Sequence, residues 1–235
     1  MPVPAASAEL KQIDQTRELL SLQGVSVQRG DRRVLHELDL QVGPAGSVAV
    51  VGPSGSGKTT LLHVACGLLP ADRGIVEVCG QRLGKLSEAK LADLRLNRIG
   101  VVFQFGDLLP ELTLQENVEL PMRFARSVPS RAIPGQAREL LAELGIAELS
   151  DQRPDSVSGG ERQRAGVARA LANAPEVVLA DEPTGSLDPS TAQAAIATLL
   201  TAVSQRQAAL VLVTHNPAIA AMMDRRFVLT EGSLR

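Results

Sequence analysis

Gly52-Pro53-Ser54-Gly55-Ser56-Gly57-Lys58-Thr59 is the stretch on which the fold turns. It fits the spacing G-x-x-x-x-G-K-[ST], in which a glycine-rich turn leads from a strand into a helix and wraps phosphate groups. The flanks agree: residues 47–51 form an apolar run and residues 59–69 read as a helix. A polyphosphate is a compact anion that needs many donors at short range. Gly52, Gly55 and Gly57 let the backbone approach and turn freely, and successive N–H groups then form a concavity for the anion. The helix that follows aims its unpaired N–H groups and positive pole at the same spot. Pro53, Ser54 and Ser56 complete the loop, and Thr60 stands in the first helical turn behind it. In this pattern Lys58 reaches the β- and γ-phosphates and the Thr59 hydroxyl ligates Mg2+. The chain is therefore expected to bind a nucleoside triphosphate with Mg2+.

At 235 residues the chain is long enough for one good core and a smaller satellite. Its 24 basic and 26 acidic residues nearly balance, which argues against a nucleic-acid surface or a polybasic membrane patch. No stretch approaches the ~18 apolar residues of a membrane span. The Pro/Ala-rich start lacks the basic and apolar regions of a secretory signal. Cys66 and Cys79 both sit in apolar surroundings and read as buried thiols in a reducing cytosol, without the further ligands a metal would need.

Residues 1–17 read as a flexible extension and 18–235 as one domain. Residues 19–27 and 34–42 alternate as antiparallel strands joined around Gly30 and Asp31. Residues 48–51, 75–78, 99–103, 177–180, 210–214 and 227–230 read as further strands, and 87–97 and 189–203 as helices. Between about 105 and 171 the pattern is helical, and Pro121, Pro129 and Pro134 are expected to cut it into short pieces. Strands alternating with helices predict an α/β fold: a phosphate-loop core with a mostly parallel sheet, an N-terminal antiparallel β unit and an inserted helical unit.

Three further motifs carry chemistry. Asp181 and Glu182 follow the apolar run 177–180, and a carboxylate at the C-terminal end of a parallel strand faces the ligand crevice. The first suits Mg2+ and the second suits holding the attacking water. Ser158-Gly159-Gly160-Glu161 reads as a capping box opening a helix. It does not account for two glycines in the first turn, each costing ~1 kcal/mol against alanine. Bare backbone there admits an anion, which makes a second phosphate site with no second lysine loop. His215 follows the strand 210–214, ahead of a helix opened by Asn216 and Pro217.

Together these residues closely resemble the ATP-binding-cassette (ABC) ATPases. The resemblance runs from the phosphate loop through Gln104, the signature at Ser158–Gln163, the Asp181-Glu182 pair and the Ser186-Leu187-Asp188 loop to His215. The segments Phe103 to Pro110 and Glu116-Asn117-Val118 look like the lipoprotein-release and macrolide-exporter branch. The resemblance implies a Mg2+-dependent ATPase that pairs head to tail on binding ATP. The signature of one copy, Ser158, Gly159, Gly160 and Glu161, then covers the ATP on the other copy's loop, and Asp188 meets the partner. It implies that Thr59, Gln104 and Asp181 serve the metal, and that Glu182, His215 and Gln104 serve hydrolysis. It also implies a peripheral subunit on the cytoplasmic face of the membrane. That subunit powers export or extraction through a separately encoded integral membrane permease of the macrolide-exporter or cell-division kind. The alternative is a cell-division-type regulator that acts through a permease-like protein on cell-wall hydrolases without transport. A DNA-repair type disagrees with the lack of sustained heptads between Gln104 and the signature. One departure stands out. The family stacks an aromatic side chain on adenine before the second strand, whereas here Arg29 holds that place and the chain has neither Tyr nor Trp. A guanidinium also lies flat on a π-face, so Arg29 is expected either stacked on the base or as a solvated arginine of the hairpin.

Overall fold

The computed structural model describes residues 18–30, 32–103, 107–126, 128–185 and 187–235. The 1–17 extension, Gln104, Phe105 and Ser186 lie outside the described residues. In chain order, β1 (Leu20–Arg29), β2 (Arg32–Val42) and β3 (Ser47–Val51) lead into helix α1 (Lys58–Ala65). Then come β4 (Arg73–Val78), β5 (Gln81–Arg82), α2 (Glu88–Arg98) and β6 (Ile99–Val102). Helices α3 (Leu114–Ala125), α4 (Ile133–Glu143) and α5 (Gly159–Leu171) follow. The chain closes with β7 (Val177–Asp181), α6 (Pro189–Gln205), β8 (Ala209–Thr214), α7 (Pro217–Ala220), β9 (Arg225–Thr230) and β10 (Ser233–Leu234).

Two sheets result. The first is antiparallel, ordered β2-β1-β4-β5, with Leu20 opposite Val42 on one side and Val78 on the other. The second is ordered β10-β9-β3-β8-β7-β6 and is parallel except for β10. β3 sits inside it and is buried along Val48, Ala49 and Val50, which explains its unbroken apolar run. The registers set Val51 opposite Thr214, and Asp181 opposite Val213. The phosphate loop, the Asp181-Glu182 pair and His215 therefore all leave the sheet at one edge, within two residues of a common line. That edge is where α/β sheets bind ligands.

The mostly parallel sheet separates two cores. Val48, Val50, Val177, Leu179, Val211 and Val213 face α1, α2 and the antiparallel sheet. Ala49, Val178, Ala180, Leu210 and Leu212 face α3 to α7. The period of two in a strand makes this division.

Two expectations change. Helix α1 ends at Ala65 rather than at residue 69, because Gly67 turns left-handed at φ 68°. A Cβ at Gly67 would stand 3.0 Å from Leu91 Cδ2. Pro121 does not interrupt its region; it lies inside α3. The helix forgoes one internal hydrogen bond there. Burial of Leu114, Val118 and Met122 holds it to the core, and Asn173 Nδ2 donates to the Pro121 carbonyl at 3.1 Å. Pro134, by contrast, opens α4, a position where its missing N–H costs nothing.

Candidate nucleotide site

Steric limits shape the loop after β3. A Cβ on Gly52 would lie 2.5 Å from the Leu229 carbonyl oxygen and 2.7 Å from Ser56 Oγ. Gly57 has φ 107°, and a Cβ there would come within 2.9 Å of the Val34 carbonyl oxygen of β2. β9 of the mostly parallel sheet thus presses on the loop at Gly52 and the antiparallel sheet at Gly57, and each place demands glycine. Gly55 also has positive φ, 74°, but has nothing within 4 Å of its would-be Cβ. It is the glycine left bare toward the cavity.

Gly57 caps α1 without a side chain, and the first turn holds no acidic residue. The N–H groups and the positive pole of α1 therefore face the loop unopposed. Lys58 is buried, and its Nζ donates to the carbonyls of Gly52 at 2.8 Å and Pro53 at 3.1 Å. Ser56 Oγ is buried with no hydrogen-bond partner. An orphaned hydroxyl beside a buried ammonium and a bare helix end fits a polyphosphate.

A cavity of about 350 Å3 opens on the loop, lined by Ser54, Gly55, Gly57, Lys58, Thr59 and Thr60, by Asp181 and Glu182, and by Arg32 and Val34. Thr59 and Asp181 face one cavity, two hard oxygen donors of the kind Mg2+ takes, so the residues fit that ion. Glu182 stands just past β7 with φ 44°, unusual for a residue with a side chain and more so before a proline. Its N–H donates to the Val213 carbonyl at 3.0 Å. Its carboxylate accepts from the His215 N–H at 3.3 Å and lies 3.0 Å from His215 Nδ1. The Glu182 side chain is 16% exposed and that of His215 69%, so the pair bridges the cavity floor and solvent.

The signature stands elsewhere. The capping box is present: Ser158 Oγ accepts from the Glu161 N–H at 3.3 Å, and the Ser158 N–H donates to Glu161 Oε2 at 2.8 Å. Hydrogen bonds from the Ser158 backbone and hydroxyl hold the Glu161 carboxyl below its usual range. Asp188 caps α6, accepting from the Ser190 and Thr191 N–H groups at 3.1 Å each. None of Ser158, Gly159, Gly160, Glu161 and Asp188 lines the cavity. Gln163 in α5 donates to the Phe103 carbonyl at 3.3 Å and so ties the signature helix to the end of β6, next to Gln104. Beside the phosphate loop the cavity is lined by Arg32 rather than Arg29, and Arg32 Nη2 donates to the Gly55 carbonyl at 2.9 Å. Arg29 lies exposed opposite it, at the end of β1. Sequence reasoning passed over Arg32. The signal was the cross-strand pairing around Gly30, which puts residues 29 and 32 on one face.

The model of the ABC transporter family matches residues 35–185, more than half of the chain. The chain belongs to the ABC transporter family. The Lipoprotein-releasing system ATP-binding protein LolD 2 of Caulobacter vibrioides is 43% identical over 92% of this chain and 96% of its own length. LolD 1 of Rhodospirillum rubrum is 45% identical over 86% of this chain and 88% of its own. Among solved structures, a dimeric post-hydrolysis state of the ATP-binding cassette MJ0796 bound to ADP and Pi superposes with a TM-score of 0.83. It is 31% identical to this chain and covers 92% of it, this chain covering 96% of that cassette in turn. This ABC protein is accordingly an ATP-hydrolysing enzyme with the cassette fold, and its relatives carry the lipoprotein-release name that residues 103–118 suggested.

Proposed function

We propose that this ABC ATPase powers the release of lipoproteins from a membrane, as one of two identical copies seated under an integral membrane permease. The observation that carries the reading is the split site. The phosphate loop, Asp181, Glu182 and His215 share one edge of the sheet, while the signature and Asp188 stand outside that cavity. A single copy offers one wall; a second copy turned head to tail supplies the other. The dimeric cassette with ADP and Pi supports this arrangement.

In that chamber Lys58 exchanges the Gly52 and Pro53 carbonyls for the β- and γ-phosphate oxygens. The α1 N–H groups and Ser56 Oγ take the remaining phosphate oxygens. Thr59 and Asp181, with Gln104, would hold Mg2+, which would supply charge neutralisation for the transferred phosphoryl group. Glu182 holds the attacking water and accepts its proton. His215, already against that carboxylate, keeps it oriented and meets the γ-phosphate. The partner's signature backbone closes over the triphosphate, and closure lasts while the γ-phosphate is there.

The permease seat is the groove of about 410 Å3 lined by Val101, Phe103, Leu120, Pro121 and Phe124, at the junction of β6 and α3. Phe124 is 67% exposed, a large apolar surface suited to a cytosolic helix of the membrane partner. Such a partner holds the chain on the cytoplasmic face. Among the described residues no helix is long and apolar enough to cross a membrane.

Glu182→Gln tests the enzyme reading. Turnover should fall by a factor on the order of 100 or more, and gel filtration with ATP should show a stable dimer. Retained turnover, or a monomer at every concentration, overturns it. Phe124→Asp tests the seat: the purified chain should keep its ATP affinity but lose co-purification with the permease.

A further inference from the structure

The two glycines of the signature are not alike. Gly159 is exposed, and a Cβ there would make ordinary contact, 3.5 Å from Leu187 Cδ2. Gly160 is buried, and a Cβ there would lie 2.7 Å from Thr191 Cγ2, closer than packed carbon atoms come. Gly159 leaves backbone bare for an anion. Gly160 leaves room for another helix.

Thr191 sits in the first turn of α6, and its N–H donates to Asp188 Oδ1 at 3.1 Å. Ser190 binds the same oxygen twice, through N–H at 3.1 Å and Oγ at 2.6 Å. Threonine is not a strong helix former, and its branched Cβ leaves χ1 stiff. It serves well as a fixed wedge. The start of α5, closed by its own capping box, and the start of α6, closed by Asp188, therefore meet where one methyl rests on a residue without a side chain.

We propose that Thr191 is a positioning residue of the shared nucleotide site. Its methyl, seated on the bare Cα of Gly160, sets the start of α5 against the start of α6, so that Ser158, Gly159 and Asp188 approach the partner copy's nucleotide as one rigid edge. This rests on the reading that two copies share each site. It gives Gly160 a reason beyond anion approach, and it ties the Asp188 loop to the signature within each copy.

Four variants of the full chain test it: Gly160→Ala, Thr191→Ser, both together, and Thr191→Ala. Serine keeps the hydroxyl and lacks only Cγ2. Gly160→Ala should cut turnover at saturating ATP about tenfold or more and block ATP-dependent pairing in the Glu182→Gln background, with ATP affinity within about twofold. Adding Thr191→Ser should bring turnover back to within about threefold of the parent, a coupling that only contacting residues show. Thr191→Ser alone removes the wedge and keeps the hydroxyl that Asp188 accepts from, so it reads the contact even if Gly160→Ala fails to fold, whereas Thr191→Ala removes both. Each should lower kcat several-fold while leaving ATP affinity unchanged. A double variant as slow as Gly160→Ala, or an unchanged kcat in Thr191→Ser, overturns the inference. Failure of the shared-site reading shows separately, in the parent chain: turnover per molecule that does not rise with protein concentration, and no pairing of Glu182→Gln. That result removes this inference with it.

Discussion

Arg29 and Arg32 face one another across the β1–β2 pair, yet it is Arg32 that reaches the phosphate loop, through the Gly55 carbonyl. A charge-assisted bond of this kind contributes about 1.5–3 kcal/mol. Arg32→Ala should therefore weaken ATP binding by roughly tenfold or more, at about 1.4 kcal/mol per decade. Arg29→Ala should change it less than about twofold, if the charge on the loop is what counts. Calorimetric titration of both variants decides; the reverse order returns the base to Arg29. Asp188 offers a second test. Its carboxyl is held far below its usual range, first by the Ser190 hydroxyl, then by the Thr191 hydroxyl and the N–H groups of both. A folded-state value below the unfolded value of about 3.9 means that the stabilisation is present above that pH and fades as pH falls below it. Asp188→Asn should therefore lower Tm near neutrality, and the gap to the parent should narrow in melts taken below about pH 4. A gap that stays constant with pH would show that the aspartate's charge plays no part.

Element by element, α3 shows how a local sequence can mislead and a buried polar group can decide. Thr113 and Glu116 close a capping box at its start, and inside the next turn Asn117 is completely buried. Asn117 Oδ1 accepts from the Leu109 N–H at 2.7 Å. Its Nδ2 donates to the carbonyls of Leu109, Leu112 and Thr113. One side chain thus fixes residues 109–113, which lead into α3. Asn117→Ala strands several of these groups and should cost about 2 kcal/mol, a fall of roughly 4–8 °C in Tm; an unchanged melt would mean that the segment finds other partners. The phosphate loop, the buried strands and the caps were legible in the sequence because each is a local affair: glycine where φ is positive, an apolar run where both faces are covered. Pro121 within α3, the two-residue strands β5 and β10, and the reach of Arg32 were not. The short strands pair back on nearby Glu77 and Thr230 and are too brief to show an alternation, while the other two depend on neighbours distant in the chain: Asn173 for Pro121 and Gly55 for Arg32. Gly160 belongs with them. Its spacing in the signature was plain, but its partner Thr191 lies on another helix.

At the scale of the whole molecule, the mostly parallel sheet is a partition. Alternate residues of β7 and β8 serve opposite cores, Val177 and Val211 on the side of α1, Val178 and Leu210 on the side of α3 to α7. The helix that grips the triphosphate rests on the first core. The helices α5 and α6, whose starts face a partner copy in the proposed pairing, rest on the second. Damage is thereby compartmented. A cavity opened at Val211 loosens the grip on a copy's own nucleotide, whereas one opened at Leu210 loosens what that copy offers its twin. In a mixed pair, a copy of each kind leaves one chamber sound on both walls and gathers both faults in the other.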